Sequence, residues 1–317
     1  LIKSVSLSKL CKSVHGIEEM DFDIKCKNIR EVIKSLIPDN DDNFIIPTGI
    51  QSTLYISKNA KEIEGIINYY PISDYKTLAM LNNKWEFYLF LMKHKISTPK
   101  TMLFDHSEIQ NMRDNLNFPV ISKPLDSENS INVIKSETFN DLYKETNGTK
   151  IPLLVQEYIP GYDINLCIFS LNGNIKAWTI NRRTDKGVVF DNNKEILQIG
   201  EYIVKTLNYS GLIHFDLRFN AQDGTFMVLE CNPRVWASML HSAYVGVNFM
   251  ELAINNQNNE FSFKEIKSGT LSLNKNSLLN KLFKPSLSKQ DFKSIFIQTK
   301  LFIHDPIYEL NFIINKK

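Results

Sequence analysis

Hydrophobic and polar positions change period several times along the chain, and each change predicts a new element. Phe44, Ile45 and Ile46 make a short strand-like run ahead of Pro47-Thr48-Gly49, and residues 57–67 fit a helix. The first 72 residues therefore predict an α/β unit with parallel strands. Ser73 fits the N-cap of a helix in which Leu78, Leu81, Trp85, Leu89 and Met92 recur at helical spacing, ending before Ser97-Thr98-Pro99. Lys84 sits beside that stripe. Residues 118–124 and 131–134 read as two strands around the polar loop 126–130, with a helix behind them through Phe139 and Leu142. Longer strands are expected at 151–159 and 164–180, the second folding back at Asn172-Gly173 as a hairpin does. Ile196, Ile199, Ile203 and Leu207 mark an amphipathic helix, after which the chain returns to strand from Gly211. Beyond Met250 Asn, Ser and Lys dominate, but Phe283, Phe292, Phe296, Phe302 and Phe312 predict a segment packed on the body.

Composition narrows the classes of function. The 317 residues are 43% hydrophobic, which suits a folded protein with one large core or two to three smaller ones. Lys and Arg number 37 against 35 acids and are scattered, so the basic patch of a nucleic-acid binder is missing. The sequence has no apolar run near the roughly 20 residues of a membrane span, and a cytoplasmic location is the expectation. Cys11, Cys26, Cys167 and Cys231 form no C-x-x-C pair, which argues for reduced thiols rather than zinc or a disulfide framework.

The chemistry gathers near Gly224-Thr-Phe-Met-Val-Leu-Glu-Cys-Asn-Pro-Arg234. Side chains alternate along a strand, so Glu230 and Asn232 are expected on one face, with Leu229 and Cys231 on the other. Gln222-Asp223-Gly224 supplies turn residues, and a hairpin centred on Asp223 places Asp216 opposite Glu230. Asp216, Glu230 and Asn232 then form a set of hard oxygen donors suited to Mg²⁺ holding phosphates, with Arg234 at the rim. A plainer reading makes these acids a solvated face neutralised by Arg218 or Arg234. The apolar neighbours Phe215, Leu217, Met227, Val228 and Leu229 weigh against it, because carboxylates beside a buried face are costly to leave idle. His214 shares the face of Asp216, and both it and His241 are expected to be structural hydrogen-bonding residues. Arg182, Arg183 and Lys186 follow the long strand, where they fit either a clamp for anions or a solvated turn.

The run Glu230-Cys-Asn232-Pro233-Arg234 after an Asp-Gly hairpin, with Asp216 upstream, resembles the metal strand of the ATP-grasp superfamily. The likeness is greatest to members similar to the carbamoyl phosphate synthase large subunit. Other pieces recur in order between residues 73 and 252. Lys84 matches a first phosphate lysine, Phe118-Pro-Val-Ile-Ser-Lys123-Pro124 matches the strand carrying a second, and Leu154 to Asp163 resembles the adenine hinge. The resemblance implies an α/β (α+β) ATP-grasp fold. Residues 1–72 would form a Rossmann-like unit, residues 73–257 the ATP-grasp domain with a lid at about 115–152, and residues 258–317 a C-terminal extension. It also implies that Lys84 and Lys123 meet the nucleotide phosphates, and that Gln156 with the backbone of Glu157 and Ile159 meets adenine over Tyr158. Asp163 would take the ribose, Asp216, Glu230 and Asn232 would hold the metal, and Arg234 with Lys123 would act in catalysis.

The implied cofactors are ATP and Mg²⁺, as two ions, with Mn²⁺ as a substitute. The implied partners are a small carboxylic acid and an amine or thiol joined through an acylphosphate, with no nucleic acid or membrane, in a chain compatible with a homodimer. Carboxyphosphate chemistry from bicarbonate is an alternative. A second is a non-catalytic nucleotide-binding module, motivated by the loop 125–132, which lacks the glycines usual in this family.

Overall fold

Turn chemistry explains the larger of two antiparallel sheets in the computed structural model, which describes residues 44–65, 67–104, 115–125, 132–146, 152–185, 187–236, 238–255 and 269–271. Asn172 and Gly173 both take left-handed backbone angles (φ 47° and 73°), as a two-residue hairpin with the native strand twist requires. They join β7 (Gly161–Leu171) to β8 (Asn174–Thr184), the fold-back expected from the sequence. β9 (Gly187–Asp191), β10 (Gly211–Asn220), β11 (Phe226–Asn232) and β12 (Gly269–Leu271) complete a six-stranded antiparallel sheet of order β11-β10-β7-β8-β9-β12.

One face of that sheet carries the core. Ile164, Leu166 and Ile168 of β7 cluster with Ile180, Phe215, Leu217 and Val228. The helix α6 (Lys194–Thr206) packs here; its N-cap Asn193 accepts the N–H of Ile196 at 3.1 Å, and it buries Ile196, Ile203 and Val204. The expected amphipathic helix is thus present.

Two further helices, α3 (Tyr75–Asn82) and α4 (Lys84–Lys93), replace the single helix predicted from Ser73 onward. Asp74, not Ser73, is the cap, while the Ser73 hydroxyl bridges the backbone of Ser210. Asn83 takes extended backbone angles and restarts the helix, its side chain accepting from Trp85 and Glu86 N–H groups at 3.0 and 3.1 Å. This break rotates the second half out of phase. Leu78 and Leu81 are buried as expected, but Leu89 and Met92 are exposed, and Phe87 and Leu91 fill the core in their place.

The smaller sheet has order β3-β6-β4-β5, from β3 (Thr101–Phe104), β4 (Val120–Pro124), β5 (Ile134–Ser136) and β6 (Leu153–Glu157). The helix α5 (Phe139–Thr146) buries Leu142 against Phe104, Val120 and Val155. The second strand of this unit lies slightly later than the expected 131–134. A two-stranded parallel pair, β1 (Phe44–Ile45) and β2 (Asn68–Tyr69), bears out the parallel α/β reading of the first part. Of two short helices, α1 (Ile50–Lys58) lies mostly ahead of the helix expected at 57–67, and only α2 (Ala60–Ile63) falls within it. Residues 1–43 and the phenylalanine-rich segment from 272 onward lie outside the described residues, as do Cys11 and Cys26. Cys167 and Cys231 are buried free thiols. Among the described residues, no helix is long and apolar enough to cross a membrane.

The two antiparallel sheets are joined directly, because β6 runs through Tyr158-Ile159-Pro160 into β7. Gly161 opens β7 at φ 148° with its Cα packed so closely that an added Cβ would collide with the Phe219 carbonyl oxygen. Gly161→Ala is therefore expected to lower the denaturant midpoint by the equivalent of about 2–4 kcal/mol, since both backbone strain and overpacking are imposed. A midpoint within error of wild type would show that the β7–β10 approach relaxes freely.

Candidate active site

The two sheets enclose a cleft of about 450 Å³. Each contributes polar groups for a local reason. β4 pairs with β6 on one side and β5 on the other, which fixes Lys123 opposite Leu154 and buries all but 7% of its side chain. Lys84 is the first residue of α4, and its ammonium and backbone N–H both approach the carbonyl of Leu125, just past β4. The break at Asn83 that displaced Leu89 and Met92 also sets Lys84 at this helix start.

Asp216 and Glu230 face each other across β10 and β11, the pairing expected from the turn. The route to it differs. From Phe219↔Phe226 to Leu217↔Val228 the hairpin register would place Asp216 against Leu229, and a bulge then adds one residue so that Glu230 takes that place. As a result Leu229 and Glu230 both line the cleft, and the expectation that Leu229 faces away is corrected. Cys231 is buried on the far side as predicted.

Charge is the dominant feature of this corner. Lys123 Nζ lies 3.3 Å from Glu230 Oε2, linking the small sheet to the large one. Burial pushes the Glu230 carboxyl up, but Lys123 and then Lys84 outweigh it and hold the group below its ordinary value. Burial, and then the Glu230 carboxylate, drive Asp216 the other way, with Lys123 opposing. Two carboxylates crowded in a partly desolvated corner offer hard oxygen donors, an environment that fits a divalent cation. Asn232 joins them, its Nδ2 donating to Asp216 Oδ2 at 3.0 Å and its Oδ1 accepting from Arg234 at 3.4 Å. Among the described residues no group of three or more His, Cys, Asp or Glu gathers; the donors here are the two carboxylates, while the Asn232 amide oxygen faces Arg234 rather than Asp216.

Nine of the eleven predicted site residues line the cleft: Lys84, Lys123, Gln156, Glu157, Tyr158, Ile159, Asp163, Asp216 and Glu230. Asn232 and Arg234 do not. Arg234, just past the end of β11, donates to the carbonyl of the next residue, Val235, at 2.9 Å. Gln156 is buried and donates to Thr101 Oγ1 at 3.0 Å. The Glu157 N–H is committed to the Lys100 carbonyl, so that main-chain donor is taken, and its carboxylate accepts twice from Asn117. Among the described residues no hydrogen bond engages the Ile159 N–H, so the hinge keeps a main-chain donor there.

Arg218 neutralises neither Asp216 nor Glu230 in the way the plainer reading supposed. It lines the cleft and binds Asp163 and the hinge. The signal was present in the strand alternation, which puts residues 214, 216 and 218 on one face. Arg182 stacks 4.8 Å from the Tyr162 ring, on the face of the sheet away from the cleft, while Lys186 lies outside the described residues. The loop 126–131 also lies outside them. His214 is not the hydrogen-bonding residue expected. Neither ring nitrogen has a partner among the described residues, Nδ1 is 3.8 Å from Asp216 Oδ2, and the ring stacks on Trp236. Burial pushes its pKa down to about 4, so the imidazole is neutral at pH 7.

Comparison with known proteins points the same way. Residues 149–275 match a family model described as ATP-grasp in the biosynthetic pathway with Ter operon, and residues 81–195 match a RimK-like ATP-grasp domain. The chain is 25% identical over 217 residues to D-aspartate ligase of Enterococcus faecium (58% of this chain, 50% of that protein). It is 26% identical over 192 residues to D-alanine–D-alanine ligase of Pelagibacter ubique (51% and 62%). The chain thus spans about half the length of the first of these relatives. Among solved structures, the biotin carboxylase domain of Hydrogenobacter thermophilus 2-oxoglutarate carboxylase, in complex with MgADP and bicarbonate, superposes with a TM-score of 0.63 at 15% identity. That match covers 82% of this chain and 64% of that one. The hinge, the paired lysines and the carboxylate hairpin lie within the matched stretches and meet in one cleft between two antiparallel sheets. Across residues 81–275 the chain is thus similar to ATP-grasp domains, by two overlapping family models and by the ligase relatives.

Proposed function

We propose that the protein is an ATP-dependent, ADP-forming ligase that joins a small carboxylic acid to an amine through an acylphosphate. The observation that carries this reading is the meeting of Lys123 with Glu230, opposite Asp216, in one cleft with the Gln156–Asp163 hinge. That geometry suits a triphosphate laid along the cleft. The Ile159 N–H and the buried Gln156 amide would face the adenine, with Tyr158 beside it, and Asp163 would accept the ribose hydroxyls. Lys84 and Lys123 are compact charges suited to phosphate oxygens.

Mg²⁺, in two ions or with Mn²⁺ in substitution, would be held by Asp216, Glu230 and the Asn232 amide oxygen, and when bound it neutralises charge on the transferring phosphoryl group. The protein's own part is placement and charge. Lys123 exchanges its contact with Glu230 for the γ-phosphate region, the substrate carboxylate attacks the γ-phosphorus in line as the bond to the β-phosphate oxygen breaks and ADP leaves, and the amine then displaces phosphate from the acyl carbon, losing a proton to the departing phosphate.

Both curated relatives bear an amino acid in their names, so amino acids are the first acids and amines to try. ADP release should require ATP, Mg²⁺ and an acid–amine pair together, with phosphate in equal amount. Binding of Mg-ATP without ADP release across a broad panel that includes bicarbonate would favour a non-catalytic module instead.

A further inference from the structure

Among the described residues Arg218 makes three polar contacts, all with the hinge that leads from the small sheet into the large one. Its Nε donates to the Ile159 carbonyl at 2.6 Å, Nη1 to Asp163 Oδ1 at 2.6 Å and Nη2 to the Tyr158 hydroxyl at 3.2 Å. The guanidinium carbon lies 5.2 Å from the centre of the Tyr158 ring. Arg218 itself is well buried, with 16% of its side chain exposed, whereas the Asp163 side chain is 73% exposed. An exposed aspartate near the start of a strand ordinarily samples several rotamers, and a fixed arginine fork removes that freedom.

Resting on the assignment of the cleft to ATP, we propose that Arg218 is the residue that sets ribose recognition. It holds one oxygen of Asp163 so that the other is presented to the sugar hydroxyls, and it locks the Ile159 main chain at the hinge. The planar fork reaches three acceptors along this segment, at residues 158, 159 and 163, which a lysine ammonium on a flexible stem does not reproduce. Lys135 of the small sheet approaches the same ring, its Nζ 4.3 Å from the Tyr158 centroid, so the hinge aromatic is contacted by a cation from each sheet. The sugar-binding carboxylate is thereby tied to the relative placement of the two sheets. Arg218 is a positioning residue in this scheme, since Asp163 is what touches the ribose.

The test is direct binding, read as a ratio. Dissociation constants for ATP, 2′-deoxyATP and 3′-deoxyATP with Mg²⁺ are measured by calorimetry on the full chain. Wild type should bind at least one deoxy analogue about tenfold or more weakly, as expected for loss of a hydrogen bond to a charged acceptor. Arg218→Met should weaken ATP by about tenfold and bring the deoxy ratio to within about twofold of one. Arg218→Lys should do the same in spite of its charge. Asp163→Asn should abolish discrimination as well, and the double variant should be no worse than Asp163→Asn alone. If Arg218→Met does not fold, Arg218→Lys and Asp163→Asn carry the comparison. An unchanged ratio in Arg218→Lys or Arg218→Met, with ATP still bound, overturns the role of Arg218 alone. Wild type that binds no adenine nucleotide overturns it together with the assignment of the cleft.

Discussion

Replacing Glu230 by glutamine should cut ADP release by about a thousandfold or more while leaving the protein folded. The change conserves volume and keeps an acceptor oxygen for Lys123 across the 3.3 Å contact, but removes one of the two carboxylates that make the corner fit a divalent cation. A thousandfold corresponds to about 4 kcal/mol of transition-state stabilisation, the scale expected when a catalytic cation is lost from its place. The fold should hold for a related reason. Glu230 is one of the groups that push the Asp216 carboxyl up, so its neutralisation relieves a repulsion even as it weakens an ion pair. A coupled assay for ADP, beside a denaturation curve, separates the two effects. Activity within tenfold of wild type would remove Glu230 from the metal site, and with it the reason for reading β10 and β11 as catalytic strands.

Lys123→Met is expected to weaken Mg-ATP binding by about 30- to 100-fold, with a smaller effect on stability. The lysine is 7% exposed and bridges the two sheets, and a charge-assisted contact to phosphate of this kind contributes about 2–3 kcal/mol. Methionine keeps most of the volume and fills the apolar part of the site. It leaves Glu230, whose side chain is 29% exposed, without its nearest cation; because water still reaches that carboxylate, the loss of stability should stay near about 1 kcal/mol. Calorimetric titration with an ATP analogue checks the first figure and a urea midpoint the second. Equal nucleotide affinity in wild type and variant would reassign Lys123 to a purely structural bridge between sheets. A large drop in stability with little change in affinity would say the same.

Much of the site was legible because it rests on local rules. Turn residues announced both hairpins and the Asp216–Glu230 pairing, although a bulge completes that pairing, and strand alternation hid Cys231. The errors share one cause: periodicity is an assumption of continuity, and one irregular residue breaks it. Asn83 shifts the helical phase, so that Phe87 and Leu91 are buried rather than Leu89 and Met92. The bulge at Leu229 turns that leucine into the cleft. Both irregularities sit at the site, Asn83 setting Lys84 at a helix start and the bulge setting Glu230 against Asp216. Contacts made through space were harder to read. Arg218 stands next to two acids on its own hairpin, yet it binds Asp163, 55 residues earlier in the chain.

By itself the sequence determined the order of elements, the positions of the turns and which residue types could carry charge to a common strand face. Those properties depend on backbone preferences and side-chain period over a few residues. Only the tertiary structure decided which cation meets which carboxylate: Lys123 reaches Glu230 across 107 positions. Such pairings follow from how two sheets dock, and docking is set by the summed packing of both cores, which no short stretch of residues encodes alone.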